Sequence, residues 1–184
     1  MRKINAILIS ALIFLLIVHS GIAVLSMLKI IHCKGIIYTL GSIAALLLIF
    51  HIIISLILMI NNMRKKPSIK FYSNINKDTV LQNLTGILII ILIPVHIFFS
   101  ELQQFSITPP LNLLTAIHGT IEIIFITLIC IHLCIGIPKL LITYGNLADL
   151  KSYSLCKKFV SIISIVIWLI FIFGIIMYFF IPLL

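Results

Sequence analysis

Hydrophobic residues run along this chain in five long stretches, and polar residues collect in the short segments between them. The stretches cover roughly residues 4–28, 36–60, 79–100, 111–138 and 159–184. Each has at least about 20 residues, enough to cross a hydrocarbon core of about 30 Å as a helix. Helices satisfy their own backbone polar groups in lipid. The pattern therefore predicts an all-α integral membrane protein, with five transmembrane helices in one bundle and a single domain over residues 1–184.

The composition of the chain narrows its possible functions. Of its 184 residues, 62% are hydrophobic and 9% are charged, whereas soluble domains have about 25% charged residues. A soluble enzyme, a disordered chain and a nucleic-acid binder are thereby excluded. We expect the protein in a cell membrane as a multi-pass protein surrounded by lipid.

The chain has a net charge of +9, and its basic residues are unevenly distributed along the sequence. We interpret this distribution as an indication of membrane orientation rather than of an anionic ligand. Eleven of the 13 lysines and arginines fall on one side of the predicted membrane, and such residues concentrate in cytoplasmic loops. The N-terminus is therefore predicted in the cytoplasm and the C-terminus outside. The basic side is also a possible docking face for a cytoplasmic partner. Its residues are Arg2, Lys3, Arg64, Lys65, Lys66, Lys70, Lys77, Lys139, Lys151, Lys157 and Lys158.

Four of the six histidines lie inside four successive predicted helices, at two depths. His19 and His96 fall about 15 residues from the cytoplasmic ends of their helices, which places them about 22 Å away in the outer half. His51 and His132 fall about nine and about six residues from the cytoplasmic ends, in the inner half. Ionisable residues within membranes usually face the protein interior and mark function. A histidine that only hydrogen-bonds across helices is the alternative for each of them alone.

Two facing imidazoles at each of two depths fit the axial ligation of haem iron. A porphyrin supplies four nitrogens, so the protein adds two axial ligands, and cofactors are commonly held between facing helices. Zinc would need four ligands at one point. No Cys-x-x-Cys-His sequence is present, so the pattern predicts two non-covalent haems of the b type.

Small and polar residues near these histidines are compatible with a haem environment. At 100° per residue, Thr85 and Gln82 fall within about 40° of the helix face of His96, toward the cytoplasmic end. Gly136, one turn after His132, leaves room for a flat ring. Packing within the membrane is the alternative explanation of each residue.

On these residues the chain resembles the single-subunit, five-helix di-haem cytochrome b anchors of succinate:menaquinone reductases and quinol:fumarate reductases. Its stretch Leu81-Gln82-Asn83-Leu84-Thr85-Gly86-Ile87, followed after eight residues by His96, is similar to the Leu-Gln-x-x-Thr-Gly opening of their third helix. His132 with Gly136 resembles their His-x-x-x-Gly, and Arg2 stands at the place of a family arginine. Asn83 and Asn5 depart from the family pattern, which often has arginine and serine there.

The resemblance implies a subunit that carries electrons rather than one that performs dicarboxylate chemistry. His51 and His132 would bind the proximal haem, nearer an iron–sulphur subunit, and His19 and His96 the distal haem. The resemblance also implies a bacterial cytoplasmic membrane, a flavoprotein and an iron–sulphur protein docked on the cytoplasmic face, and menaquinone as the substrate. It allows a dimer of the complex.

Glu122 and His118 are the remaining candidates, for a quinone site or a proton relay. Glu122 lies about 15 Å further out than His132 on the same predicted helix. A neutral carboxyl group that bridges helices is the alternative for Glu122, and a loop cap is the alternative for His118. A proton-coupled transporter or channel, or the cytochrome b of a hydrogenase or formate dehydrogenase, stays open as an alternative function of the whole chain.

Overall fold

A computed structural model shows an all-α chain of five helices. It describes residues 2–63, 73–105, 113–147 and 149–181, and within these it leaves aside the side chains of 2, 62–63, 73–76, 101–105 and 113–114. The Arg2 side chain and the basic residues Arg64, Lys65, Lys66 and Lys70 therefore lie outside the description. The helices are α1 (Arg2–Met27), α2 (Lys34–Met63), α3 (Ser73–Phe105), α4 (Leu113–Thr143) and α5 (Leu150–Phe179).

Each of the five helices contains a segment long and apolar enough to cross a membrane. The segments are Lys3–Met27, Lys34–Asn61, Lys77–Ser100, Thr115–Thr143 and Leu150–Phe179. Many of their isoleucine, leucine and phenylalanine side chains are exposed, as helices in contact with lipid require. These five candidate spans suggest a multi-pass membrane protein.

The helices extend beyond the apolar stretches, most of all at α5. This helix begins at Leu150, nine residues before the predicted start at 159. Asp149 has extended backbone angles and accepts a hydrogen bond from the Ser152 backbone N–H at 2.6 Å, which caps the helix. Hydropathy did not identify these turns because they are polar, although Tyr153 within them is buried.

Two helix ends use the same backbone arrangement. Gly145, with φ of 81°, follows α4, and the Asn146 N–H donates to the Leu141 carbonyl at 3.0 Å. Lys29, with φ of 58°, follows α1, and the next N–H donates to the Leu25 carbonyl at 3.0 Å. Both are Schellman motifs, in which a residue in the left-handed region ends the helix.

The first of two compact units comprises Met1–Tyr72 and Leu140–Asn146. In this unit α1 packs against α2. The Ser10 hydroxyl lies 3.0 Å from the Tyr144 hydroxyl. The apolar side chains buried here are small or medium in size, and they are Ala6, Leu12, Val24 and Ala44.

The second unit comprises Ser73–Lys139 and Leu147–Leu184. Its buried apolar residues on α4 and α5 include Cys130, Ile135, Pro138, Tyr153, Val160, Ile175 and Phe179. The Trp168 indole N–H donates to the Thr127 hydroxyl at 2.8 Å, which joins α5 to α4. Four polar side chains are also buried in this unit, namely Thr85, His118, Glu122 and Ser164.

Candidate functional site

His19 is held by α2 through a backbone carbonyl. Its Nδ1 lies 3.0 Å from the Ile37 carbonyl oxygen. A carbonyl only accepts hydrogen bonds, so Nδ1 carries the hydrogen, and the Nε2 of the neutral ring carries the lone pair. One turn further along α2, a Cβ placed on Gly41 would lie 3.1 Å from Cε1 of His19. The absence of a side chain at Gly41 thus gives the imidazole its room.

His51 is held by α1 in the same unit. Its Nδ1 lies 3.2 Å from Oδ1 of Asn5 and 3.3 Å from the Ser55 hydroxyl. The amide oxygen accepts, so Nδ1 again donates and Nε2 has the lone pair. Asn5, which departs from the family pattern, therefore has a definite role in this chain: it orients a predicted haem ligand.

His132 is held by Thr85, in the second unit. The Thr85 hydroxyl donates to the backbone carbonyls of Leu81 and Gln82, at 2.9 and 3.0 Å, and its oxygen lies 3.0 Å from Nδ1 of His132. Because the hydroxyl hydrogen is used by the carbonyls, the oxygen accepts from Nδ1. A Cβ on Gly86 would lie 3.3 Å from Cε1 of the same imidazole, so this glycine makes room for His132.

The other two predicted haem-environment residues are Gly136, which lies on the same helix as His132, and Gln82, which lies on α3. A Cβ on Gly136 would meet Nε2 of Gln82 at 3.3 Å. The Gln82 Oε1 in turn accepts from Nζ of Lys139 at 2.9 Å, and Lys139 also donates to the Thr79 hydroxyl at 2.9 Å. The structure thus places Gln82 and Gly136 against each other and adds Lys139 as a cation near them.

His96 and His118 meet at one oxygen of Glu122. Nδ1 of His96 lies 2.7 Å from Oε1 of Glu122, and Nε2 of His118 lies 3.2 Å from the same atom. A protonated Oε1 could donate to one ring only, so at least one imidazole must donate, and an ionised carboxylate accepts from both. Among the described residues, no group of three or more histidine, cysteine or carboxylate side chains is placed to hold a metal ion by itself.

Aromatic rings surround this cluster. Phe125 stacks on His96, with ring centroids 5.1 Å apart, and Phe99 stacks on His118 at the same separation. The edge of Phe179 faces His118 at 4.7 Å. His118 is 3% exposed and Glu122 8% exposed. A quinone would have to displace Phe99 or Phe179 to contact His118 itself. The role of His118 and Glu122 at a quinone site therefore stays a prediction.

A second polar cluster, at the first turns of α3 and α5, was not predicted from the sequence. Both carboxylate oxygens of Asp78 accept from Nζ of Lys157, at 2.7 and 2.8 Å, and Oδ2 also accepts from the Tyr153 hydroxyl at 2.9 Å. Asp78 lies 75 residues before Tyr153 and 79 residues before Lys157, and the basic residues of the sequence indicated only sidedness and a possible docking face. The sequence feature that could have indicated this cluster is Tyr153, one helical turn before Lys157, in the polar segment that precedes the apolar part of α5.

Comparison with models of known protein families, with curated proteins and with solved structures finds no match to this chain. No family is therefore identified by comparison. Within the part of the chain that it describes, the structure is all-α, with five helices and five candidate membrane spans.

Proposed function

We propose that this chain is a di-haem cytochrome b subunit that anchors a succinate dehydrogenase or fumarate reductase complex to the membrane. It would carry electrons between an iron–sulphur subunit and menaquinone. One observation carries the proposal: each of the four predicted ligand histidines has its Nδ1 hydrogen-bonded to an oxygen atom of another residue. Metal-binding histidines characteristically donate their other ring N–H in this way, which fixes the tautomer and the ring orientation.

The donor set fits haem b. Haem iron that takes two axial imidazoles supplies one-electron transfer when it is bound. In the pairing that the sequence depths predict, His51 and His132 hold the haem nearer the partners, and His19 and His96 hold the other. The protein residues would supply lone pairs at Nε2 in fixed orientations. The absence of side chains at Gly41 and Gly86 leaves room for the imidazoles of His19 and His132.

The surroundings of the haems come from the same helices. We propose that Gln82, Thr85 and Gly136 form part of the environment of the haem held by His132, with the Lys139 ammonium at its polar edge. Glu122 and His118 would serve the outer region, where menaquinone exchanges electrons and protons. Setting the depth, the ligation and the access of the cofactors is the contribution that a protein makes to such chemistry.

Docking of the catalytic partners is proposed on the basic side, with the N-terminus in the cytoplasm. Lys151 and Lys158 are exposed at the first turns of α5 and are available to acidic partner surfaces. Lys157 beside them is already paired with Asp78. A flavoprotein and an iron–sulphur protein would perform the dicarboxylate chemistry.

A difference spectrum of the full chain tests this proposal. The dithionite-reduced minus oxidised spectrum should show a b-type α band, and the pyridine haemochrome should give two haems per chain. Replacing His51 or His132 by alanine should remove one haem, and replacing His19 or His96 should remove the other. The exposed His32 is the matched control, and its alanine variant should keep both.

Two outcomes would redirect the assignment. A chain without a b-type band would end the di-haem proposal. Two haems without a co-purifying flavin-containing subunit would favour the cytochrome b of a hydrogenase or a formate dehydrogenase instead.

The His96–Glu122–His118 cluster, in which Glu122 and His118 are buried, favours one other candidate, a proton-coupled transporter or channel, because intramembrane ionisable groups often form proton relays. The haem-free chain in liposomes with an internal pH dye tests it. Proton uptake that is lost in Glu122→Gln would support a relay, and a proton-tight vesicle would rule it out.

A further inference from the structure

We propose that Glu122 is the positioning residue of the haem that His96 binds, and that its carboxylate lowers the midpoint potential of that haem. This inference rests on the proposed haem ligation by His96. It concerns the hydrogen-bond partner of a proposed haem ligand, and it gives Glu122 a role toward the haem beyond the one proposed for it in the outer region.

The first argument is the geometry of the contact with His96. The 2.7 Å distance from Nδ1 to Oε1 is shorter than the 3.0 to 3.2 Å distances from Nδ1 to the first acceptors of the other three histidines. Bonds of this length are typical of charge-assisted N–H···O contacts. The stacked ring of Phe125 holds the imidazole from one face. His96 is thus fixed by a carboxylate at its edge and by an aromatic ring at its face.

The second argument is that Glu122 is itself held in place. His118 lies one turn earlier on α4 and reaches the same Oε1 through Nε2, at 3.2 Å. Phe99 and Phe179 pack on His118, which is 3% exposed. An ionised Glu122, itself 8% exposed, therefore accepts from a second N–H donor. A buried charge needs such partners to persist.

The third argument is the chemical difference among the four Nδ1 acceptors described. The Ile37 carbonyl, the Asn5 amide and the Thr85 hydroxyl are neutral groups, whereas Glu122 is the one acid among the four acceptors and can carry a negative charge. An anionic partner draws the Nδ1 hydrogen toward itself and increases the electron density at Nε2, which makes the imidazole a more basic ligand. A more basic axial ligand favours the oxidised iron, and hydrogen bonding around a haem ligand is one of the means by which proteins set potential.

Redox titration of the full chain, purified from membranes, tests the inference. Glu122→Gln keeps the size of the side chain and an acceptor oxygen but removes the charge. We expect two haems per chain, with one component shifted to a higher midpoint potential and the other unchanged. The shifted component should be the one that His96→Ala loses. Asp149→Asn, which neutralises an exposed carboxylate outside the cluster, is the control and should shift neither.

A measurement on the unmodified protein covers the case in which Glu122→Gln fails to fold. In the reduced low-spin state, ¹⁵N-histidine NMR should show one ring N–H proton further downfield than those of the other ligand histidines. Four equivalent N–H shifts, or two haems with unshifted potentials in Glu122→Gln, would overturn this inference and leave the proposed ligation standing. A wild-type chain without haem b would instead overturn the ligation, and this inference with it.

Discussion

Adding one methyl group at Gly119 should destabilise the protein, although alanine is the better helix former. A Cβ at Gly119 would lie 2.7 Å from Cε2 and 3.0 Å from Cζ of Phe180, and 2.9 Å from Cβ of Phe179. Real Cβ atoms essentially never approach so closely, so the end of α5 or α4 itself must shift. Phe179 is 1% exposed and has no free space into which it can move.

The magnitude follows from two opposing terms. Glycine-to-alanine replacement inside a helix stabilises by up to about 1 kcal/mol, while overpacking of a buried site typically costs about 1–3 kcal/mol. Gly21, on α1, is the matched control because a Cβ there meets nothing within 4 Å. The helix-propensity term is common to both variants. The difference between Gly119→Ala and Gly21→Ala should therefore be about 1–3 kcal/mol, with Gly119→Ala the less stable.

Unfolding in mixed micelles of increasing dodecyl sulphate content measures this difference. Far-UV circular dichroism follows all five helices, and the fluorescence of Trp168, the single tryptophan, follows the contact of α5 with α4. Gly119→Ala should unfold at lower dodecyl sulphate than the wild type, and Gly21→Ala at the same or higher content. If Gly119→Ala equals or exceeds Gly21→Ala in stability, the close approach of α4 and α5 at this glycine is wrong.

Three further predictions concern other contacts. Thr85→Val removes the acceptor of the His132 N–H and should weaken the retention of one haem by about 10–100-fold. Thr85→Ser keeps the hydroxyl and should retain both haems. Equal haem content in the two variants would contradict the role of the hydroxyl. Lys157→Met breaks the contact with the carboxylate partner on α3 and should lower the free energy of unfolding by about 1 kcal/mol. The control Lys158→Met, at an exposed position, should change this free energy by no more than about 0.5 kcal/mol. Similar losses in the two variants would exclude a specific ion pair. Hydrogen bonds from the serine three residues on hold the pKa of the Asp149 carboxyl below its ordinary 3.8, so this cap is complete at neutral pH and is lost as the pH falls through the lowered pKa. The protection factors of the amides in the first turn of α5, which correct exchange rates for their intrinsic pH dependence, should then fall in acid in the wild type but not in Asp149→Asn. An equal fall in both would show that the cap is not what titrates.

Hydropathy was sufficient to predict the number and approximate position of the helices, because only long apolar helices are compatible with so little polar surface. It could not predict where they begin. The first turns of α5 are polar, and the Asp149 cap and the burial of Tyr153 make them helical. The hydropathy of a short sequence segment shows neither the geometry of the Asp149 cap nor the residues against which Tyr153 packs.

The sequence was sufficient to predict which residues form the candidate site, but it was not sufficient to predict which atoms they contact. Helical periodicity placed Thr85 and Gln82 on one face, but it could not indicate that Thr85 reaches His132. The partner of His19 is a backbone carbonyl, which leaves no trace in side-chain identity. Gly41 is likewise informative only when its neighbour is known, because many glycines in membrane helices serve packing.

The length of α3 gives the Asp78 cluster a dependence on the surrounding lipid. Its 33 residues extend about 50 Å at 1.5 Å per residue, well beyond an apolar thickness of about 30 Å. Asp78 is the second residue of the candidate span Lys77–Ser100, so in a bilayer that this span crosses, its pair with Lys157 falls at the depth of the lipid headgroups. Longer acyl chains would draw this pair into a medium where water no longer competes for its hydrogen bonds, or would force the helix to change its tilt. Bilayer thickness thus becomes a variable that acts on one identified ion pair.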